Sequence, residues 1–215
     1  MLGTLSNDTA LMDAHVGHSE AEIRPVLVSA GGGQSGDTLA YLRAAVRSRP
    51  LCPASISGDD TPWYVFVGWC VEETLFQQCV DELNDPPSVV VRRASKDFIG
   101  LLARCKMSIS QGGYNTTMEV VSSGRPAVIV PVCDGNDVEQ AVRAHKLAQI
   151  SRMRVACVDY DEVGREWAVL PVSPEGIAAA ARATLGDKRV YAETVRTDGG
   201  RVTAQWVVDL DAQQR

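Results

Sequence analysis

Three short stretches of this sequence concentrate the residue types that bind anions and hydroxyl groups. GGGQSG at 31–36 has the spacing G-x-G-x-x-G, in which glycines let backbone amides approach a phosphate closely. SISQGGYNTTME at 108–119 sets Gly112 and Gly113 ahead of Asn115, Thr116, Thr117 and Glu119. Amides and hydroxyls there could hold a diphosphate without a metal, and Glu119, about one helical turn on, could accept from both hydroxyls of a ribose. DGNDVEQ at 134–140 brings Asp134 near Glu139 and Gln140, a carboxylate and an amide of the kind that hydrogen-bond sugar hydroxyls. Each stretch alone also has an ordinary structural explanation. Glycines turn a chain, Asn and Thr cap helices, and acids favour a helix's first turn.

What separates these readings is where the stretches sit. PVLVSA at 25–30 is a β-branched apolar run ahead of the first glycine loop, and Leu39, Leu42, Ala45 and Val46 follow it at helical spacing. After turn-rich residues 50–62, a strand is predicted at 63–67 (WYVFV) and a helix at 71–83. In that helix Leu75, Cys79 and Leu83 form one stripe beside Phe76 and Val80, with Glu72 and Glu73 in the first turn and Pro86-Pro87 closing it. Further strands are expected at 89–91, 107–110, 127–130 and 155–158, with helices at 97–104, 115–123 and from a cap at Asn136 or Asp137 to 150. Gly124 and Pro126 stop the helix over 115–123. Ser173, Pro174 and Glu175 read as cap, first helical position and first-turn acid of a helix to 185, and a last helix is expected over 201–210.

Strands alternating with helices imply right-handed βαβ units, hence an α/β fold with a Rossmann-like, doubly wound parallel sheet of about six strands. In such sheets ligands bind outside the carboxyl ends of the strands, which is where all three polar loops fall. Residues 1–22, polar and without Lys or Arg, read as a flexible leader, and 23–215 as one domain. His15 and His18 in that leader have no companion ligands at metal spacing.

Composition narrows the classes. With 215 residues, 45% hydrophobic, the chain can bury a core, and its net charge of -6 disfavours nucleic-acid binding. No apolar run approaches the ~18 to 20 residues needed to span a bilayer. A cytoplasmic location is the expectation, with six scattered cysteines (Cys52, Cys70, Cys79, Cys105, Cys133, Cys157) acting as reduced core hydrophobes and no zinc-type spacing. No Lys-Ser or Lys-Thr follows the glycines at 31–36, which excludes a P-loop there. A dinucleotide-binding oxidoreductase would need an acid at the end of the second strand, where Gly68, Trp69 and Cys70 stand.

The run QGGYNTTMEVVSSGRPAVIVP followed by DGNDVEQAVRAHKLA resembles the C-terminal, donor-binding domain of glycosyltransferase family 28, and the order of loops extends the likeness from Arg24 to the final helix. The resemblance implies the C-terminal half of a two-domain GT-B architecture and an inverting, metal-independent transfer of a hexosyl group from a UDP-sugar, the nucleotide sugar being substrate with no separate cofactor. By position, Gly32, Gly33 and Gln34 would border the diphosphate, and Ala94 and Ser95 would lie at the uracil. Gly112, Gly113, Asn115 and Thr116 would meet the phosphates, Glu119 the ribose, and Glu139 with Gln140 the donor sugar. Family enzymes place an acceptor-binding domain and the catalytic base ahead of this domain. With only the leader there, the expectation is a fragment of a longer enzyme or an acceptor-domain partner chain, and no catalytic base is assigned. A non-catalytic nucleotide-sugar-binding or regulatory subunit is the alternative.

Overall fold

The computed structural model describes residues 23–32, 37–133, 138–161 and 166–188. Several expectations lie outside those residues: the leader at 1–22, Gly33, Gln34, Asp134, the caps Asn136 and Asp137, Trp206 and the helix at 201–210.

Six strands form one parallel sheet: β1 (Val26–Ser29), β2 (Trp63–Val67), β3 (Val89–Arg93), β4 (Met107–Gln111), β5 (Ala127–Val130) and β6 (Met153–Val155), in the order β3-β2-β1-β4-β5-β6. Val26 sits beside Trp63 on one side and Met107 on the other, so β1 is the centre of the sheet. Both faces of these strands are covered, which explains their continuous rather than alternating apolar character. Val26, Val28, Val65 and Ile109 pack on the face that carries α1 (Thr38–Arg47), α3 (Glu73–Leu83) and α7 (Pro174–Gly186). Leu27, Phe66 and Ile129 point to the opposite face, against α4 (Asp97–Arg104), α5 (Tyr114–Ser123) and α6 (Glu139–Ile150). There Phe66 meets Phe98 edge-on with ring centroids 5.2 Å apart, a favoured aromatic geometry.

Local chemistry sets the element ends. Gly124 takes the left-handed conformation (φ 64°) that closes α5, and Ser173 accepts a hydrogen bond from the Gly176 amide at the start of α7, with Pro174 in the first turn. The stripe on α3 is buried at Cys79 and Leu83, with Leu75, Phe76 and Val80 partly covered. None of the six cysteines is in a disulfide, and four of them are buried.

Four local expectations need correction. The residues before β2 are not a plain loop: a 3-10 turn (Arg49–Leu51) and a short helix α2 (Ala54–Ser57) fold there, and the Ile56 carbonyl accepts the buried Trp63 indole N–H at 2.7 Å. β3 runs two residues past its apolar core because Arg92 and Arg93 stack over the rings of Tyr64 and Phe76. The single strand expected at 155–158 is split. β6 ends at Val155, Cys157 turns the chain at φ 64°, and β7 (Val158–Asp161) then pairs antiparallel with β8 (Glu166–Val169), outside the main sheet. Finally, α3 begins at Glu73 rather than at residue 71; it ends at Leu83 as expected, where Asn84 leaves the helix and its side chain accepts the Val91 amide.

Candidate functional site

Strand order reverses direction between β1 and β4, and the loops leaving these two neighbours diverge to open a cleft of roughly 200 Å³ at the carboxyl edge of the sheet. Ala30, Gly31 and Gly32 form one wall, Gln111 with Gly113, Tyr114, Asn115 and Thr116 the second, and Val132 and Gln140 the third. The three sequence stretches that could bind anions and hydroxyls thus meet at one place, to the extent that they are described.

The two inner walls are held close. Gly31 adopts φ 59°, a left-handed conformation open to glycine, and its amide donates to the Ser29 hydroxyl at 3.1 Å. A Cβ on Gly31 would lie 3.5 Å from the Thr116 hydroxyl oxygen, so the first glycine loop rests directly against the second. Beneath them the buried Tyr41 hydroxyl lies 3.2 Å from the Ser29 carbonyl and 3.0 Å from the Ile109 carbonyl, bridging β1 and β4. Burial pushes its ionisation far above the usual tyrosine range, so it serves as a neutral donor.

The two helix starts beside the cleft differ in electrostatics. At α1, the Asp37 carboxylate caps the helix and accepts the Ala40 amide at 2.9 Å, placing a negative charge where an anion would otherwise bind. At α5, the cap is Gly113, which has no side chain to offer, and the first backbone bond runs from the Thr117 amide to the Gly113 carbonyl at 2.9 Å. The amides of the first α5 turn therefore face the cleft with the helix dipole behind them, an arrangement suited to a phosphate.

The third wall is braced against the second. The Val132 amide donates to Gln140 Oε1 at 3.0 Å, which leaves the carboxamide nitrogen as the end available to a ligand. Gln140 packs so tightly on Gly112 that a Cβ there would sit 2.9 Å from Gln140 Oε1 and 3.1 Å from its Cβ. Arg143, one turn along α6, donates to the Gly112 carbonyl at 2.6 Å, pairs with Glu139 and carries its guanidinium 5.5 Å from the centre of the Tyr114 ring.

Of the residues proposed from sequence, Gly32, Gly113, Asn115, Thr116 and Gln140 line the cleft, and Gly112 supports it from beneath. Glu139 stands next to Gln140 but is engaged by Arg143. Glu119 lies one turn beyond Asn115 on α5, half-buried and outside the lining; burial raises its carboxyl above the usual range. Ser95 lies at the outer end of the same sheet edge, after β3, where its hydroxyl accepts the Asp97 amide at 3.3 Å and helps start α4. Sequence reasoning passed over Gln111, Tyr114, Tyr41 and Arg143. Gln111 and Tyr114 sat in plain view inside the second stretch; Tyr41 and Arg143 act through partners distant in sequence.

Comparison with known proteins agrees with this geometry. Residues 71–164 match the family model described as "Glycosyltransferase family 28 C-terminal domain". A stretch of 55 residues is 38% identical to a UDP-N-acetylglucosamine--N-acetylmuramyl-(pentapeptide) pyrophosphoryl-undecaprenol N-acetylglucosamine transferase of Methylorubrum extorquens, covering 26% of this chain and 15% of that protein. Among solved structures, the calicheamicin glycosyltransferase CalG4 superposes with a TM-score of 0.55 at 21% identity, over 87% of this chain and 43% of its own. A putative UDP-N-acetylglucosamine 2-epimerase from Listeria monocytogenes superposes with a TM-score of 0.56 at 11% identity, over 89% of this chain and 46% of its own. The chain spans less than half the length of these structures, and at such identities they speak to the fold alone. Residues 71–164 thus match the family 28 C-terminal domain model, within a chain that shares the Rossmann-like fold of a GT-B glycosyltransferase.

Proposed function

We propose that this chain is the donor-binding part of an inverting, metal-independent glycosyltransferase and that its cleft holds the diphosphate of a UDP-sugar. The observation that carries the reading is the uncapped start of α5, whose free amides face Gly31 and Gly32 across the cleft at the point where strand order reverses. On this reading the phosphates rest on the amides of residues 114–116 and the hydroxyl of Thr116. Glu119 takes the ribose hydroxyls, Ser95 lies toward the base, and the Gln140 amide nitrogen meets the hexose.

Transfer forms a bond from an acceptor oxygen to the anomeric carbon while the bond from that carbon to the phosphate oxygen breaks on the opposite face. The electron pair leaves with the diphosphate, whose growing charge falls on the α5 amides, donors already oriented and needing no rearrangement. The acceptor hydroxyl must lose its proton. On the family resemblance, that base is brought by an acceptor-binding domain or partner chain. A second reading is a subunit that binds a nucleotide sugar and leaves the chemistry elsewhere.

Calorimetric titration with UDP, UDP-N-acetylglucosamine, UDP-glucose, GDP-mannose and NAD tests the proposal. Selective binding of a UDP ligand in metal-free buffer is the expected result. Binding of NAD alone overturns it. Turnover upon adding a matched acceptor domain separates the catalytic reading from the binding-only one.

A further inference from the structure

Arg143 spans two walls of the cleft, and no motif in the sequence marks it. Its side chain is only 15% exposed. One terminal nitrogen donates to the Gly112 carbonyl at 2.6 Å, the other pairs with Glu139, and the Nε–H is buried without a partner. Burial lowers the guanidinium below its usual ionisation range. A cation half-withdrawn from water with one donor unsatisfied is a poor contributor to stability. What the arrangement secures is placement: Gly112 and Tyr114 belong to the loop that starts α5, whereas Glu139 and Gln140 belong to α6, and the planar fork of one arginine touches both.

We propose that Arg143 is a positioning residue, which holds the first turn of α5 and the Gln140 side chain in register before any ligand arrives. It deepens the donor-binding reading above and rests on it for its functional meaning, though its structural part can be tested alone. With the Gly112 carbonyl anchored, the peptide planes that follow are fixed, and the amides after Gly113 point into the cleft. Without the anchor, a ligand would have to order that turn as it binds, which weakens affinity. Lysine is not an adequate replacement, since a single ammonium cannot reach the Gly112 carbonyl and Glu139 in the same fork geometry or stack on Tyr114.

The test compares the full chain with Arg143→Lys and Arg143→Ala by amide hydrogen exchange without ligand. The expected result is exchange at least about tenfold faster at residues 113–117 in both variants, with β1 and β2 amides as protected as before. Millimolar methylguanidinium should slow the exchange again in Arg143→Ala. Unchanged exchange at 113–117, equal acceleration throughout the sheet, or loss of the folded circular-dichroism spectrum in both variants would each overturn the proposal by assigning Arg143 no role or a global one. UDP titration supplies the functional half, with about a tenfold weaker Kd expected in Arg143→Lys. If the unmodified chain binds no nucleotide, the donor-binding reading fails while the exchange experiment still decides the role of Arg143.

Discussion

Two adjacent glycines should respond differently to the same substitution. Gly112 is packed against Gln140, and an added methyl would stand 2.9 Å from Gln140 Oε1, 3.1 Å from Gln140 Cβ and 3.4 Å from Ile129 Cγ2. The amide oxygen could swing away only by giving up its bond from the Val132 amide, and Cβ and the fully buried Ile129 cannot move freely. Overpacking of this kind costs about 1 to 3 kcal/mol, and the lost hydrogen bond about 1 more. Restricting the unfolded chain returns roughly 0.4 to 1 kcal/mol. Gly112→Ala should therefore be less stable by about 1 to 3 kcal/mol, a fall in Tm of about 2 to 12 °C. Gly113 differs: its φ is -55°, no atom lies within 4 Å of the added methyl, and the residue lines the cleft. Gly113→Ala should leave Tm nearly unchanged, the entropy gain in the unfolded chain offsetting a poorer N-cap, while weakening UDP binding on the reading that a phosphate approaches there. Differential scanning calorimetry on both variants, followed by UDP titration, reads the contrast. Equal Tm values for the two variants would refute the packing argument, and unchanged UDP affinity in Gly113→Ala would remove the phosphate from the α5 start.

Other substitutions probe single features. Glu119→Ala should weaken UDP-sugar binding by about 1 to 3 kcal/mol through loss of a charged hydrogen bond, and unchanged affinity in a folded variant would remove the ribose role. The Glu119 carboxyl is raised from its ordinary value of 4.5 by burial, so between that value and its folded one the native state binds more protons than the unfolded state. Stability from this group accordingly falls as pH rises through that window, and Glu119→Gln should show a higher Tm than the unmodified chain above it, with the gap closing in acid. Tyr41→Phe removes the hydroxyl that reaches the Ser29 and Ile109 carbonyls and should cost about 1 to 3 kcal/mol in urea unfolding, an unshifted midpoint counting against the bridge. Ser173→Ala should lower stability by about 1 kcal/mol, since it frees the Gly176 amide at the start of α7; an unaltered melting curve would show the cap to be idle.

Much of the sheet could be read from sequence because its strands are buried on both faces. Val89 to Val91 and Trp63 to Val67 are short, continuous and β-branched or aromatic, and β2, β5 and α4 have the bounds their apolar patterns suggest. Punctuation was legible where a residue's own chemistry determines the geometry, as at Gly124 and Ser173-Pro174. It failed at Cys157, which takes a left-handed turn that cysteine does not announce, and with it the β7–β8 hairpin was missed. The two arginines at the end of β3 looked like the end of a strand because their stacking partners lie elsewhere in the chain. At the cleft, the lining residues Gly32, Gly113, Asn115, Thr116 and Gln140 were visible as motifs. Tyr41 and Arg143, which hold those residues in place, were not, since Tyr41 reaches the Ile109 carbonyl 68 positions away and Arg143 reaches Gly112 31 positions away.

The Tyr41 hydroxyl between two strand carbonyls has a mechanical consequence. Opening the cleft by spreading β1 from β4 would pull the buried Tyr41 hydroxyl off one of its two carbonyls and break the parallel ladder that pairs Val26–Ser29 with Met107–Ser110. The jaw is therefore of fixed gauge. On the donor-binding reading, a ligand is then sorted by whether it fits the gap between these strands as it stands.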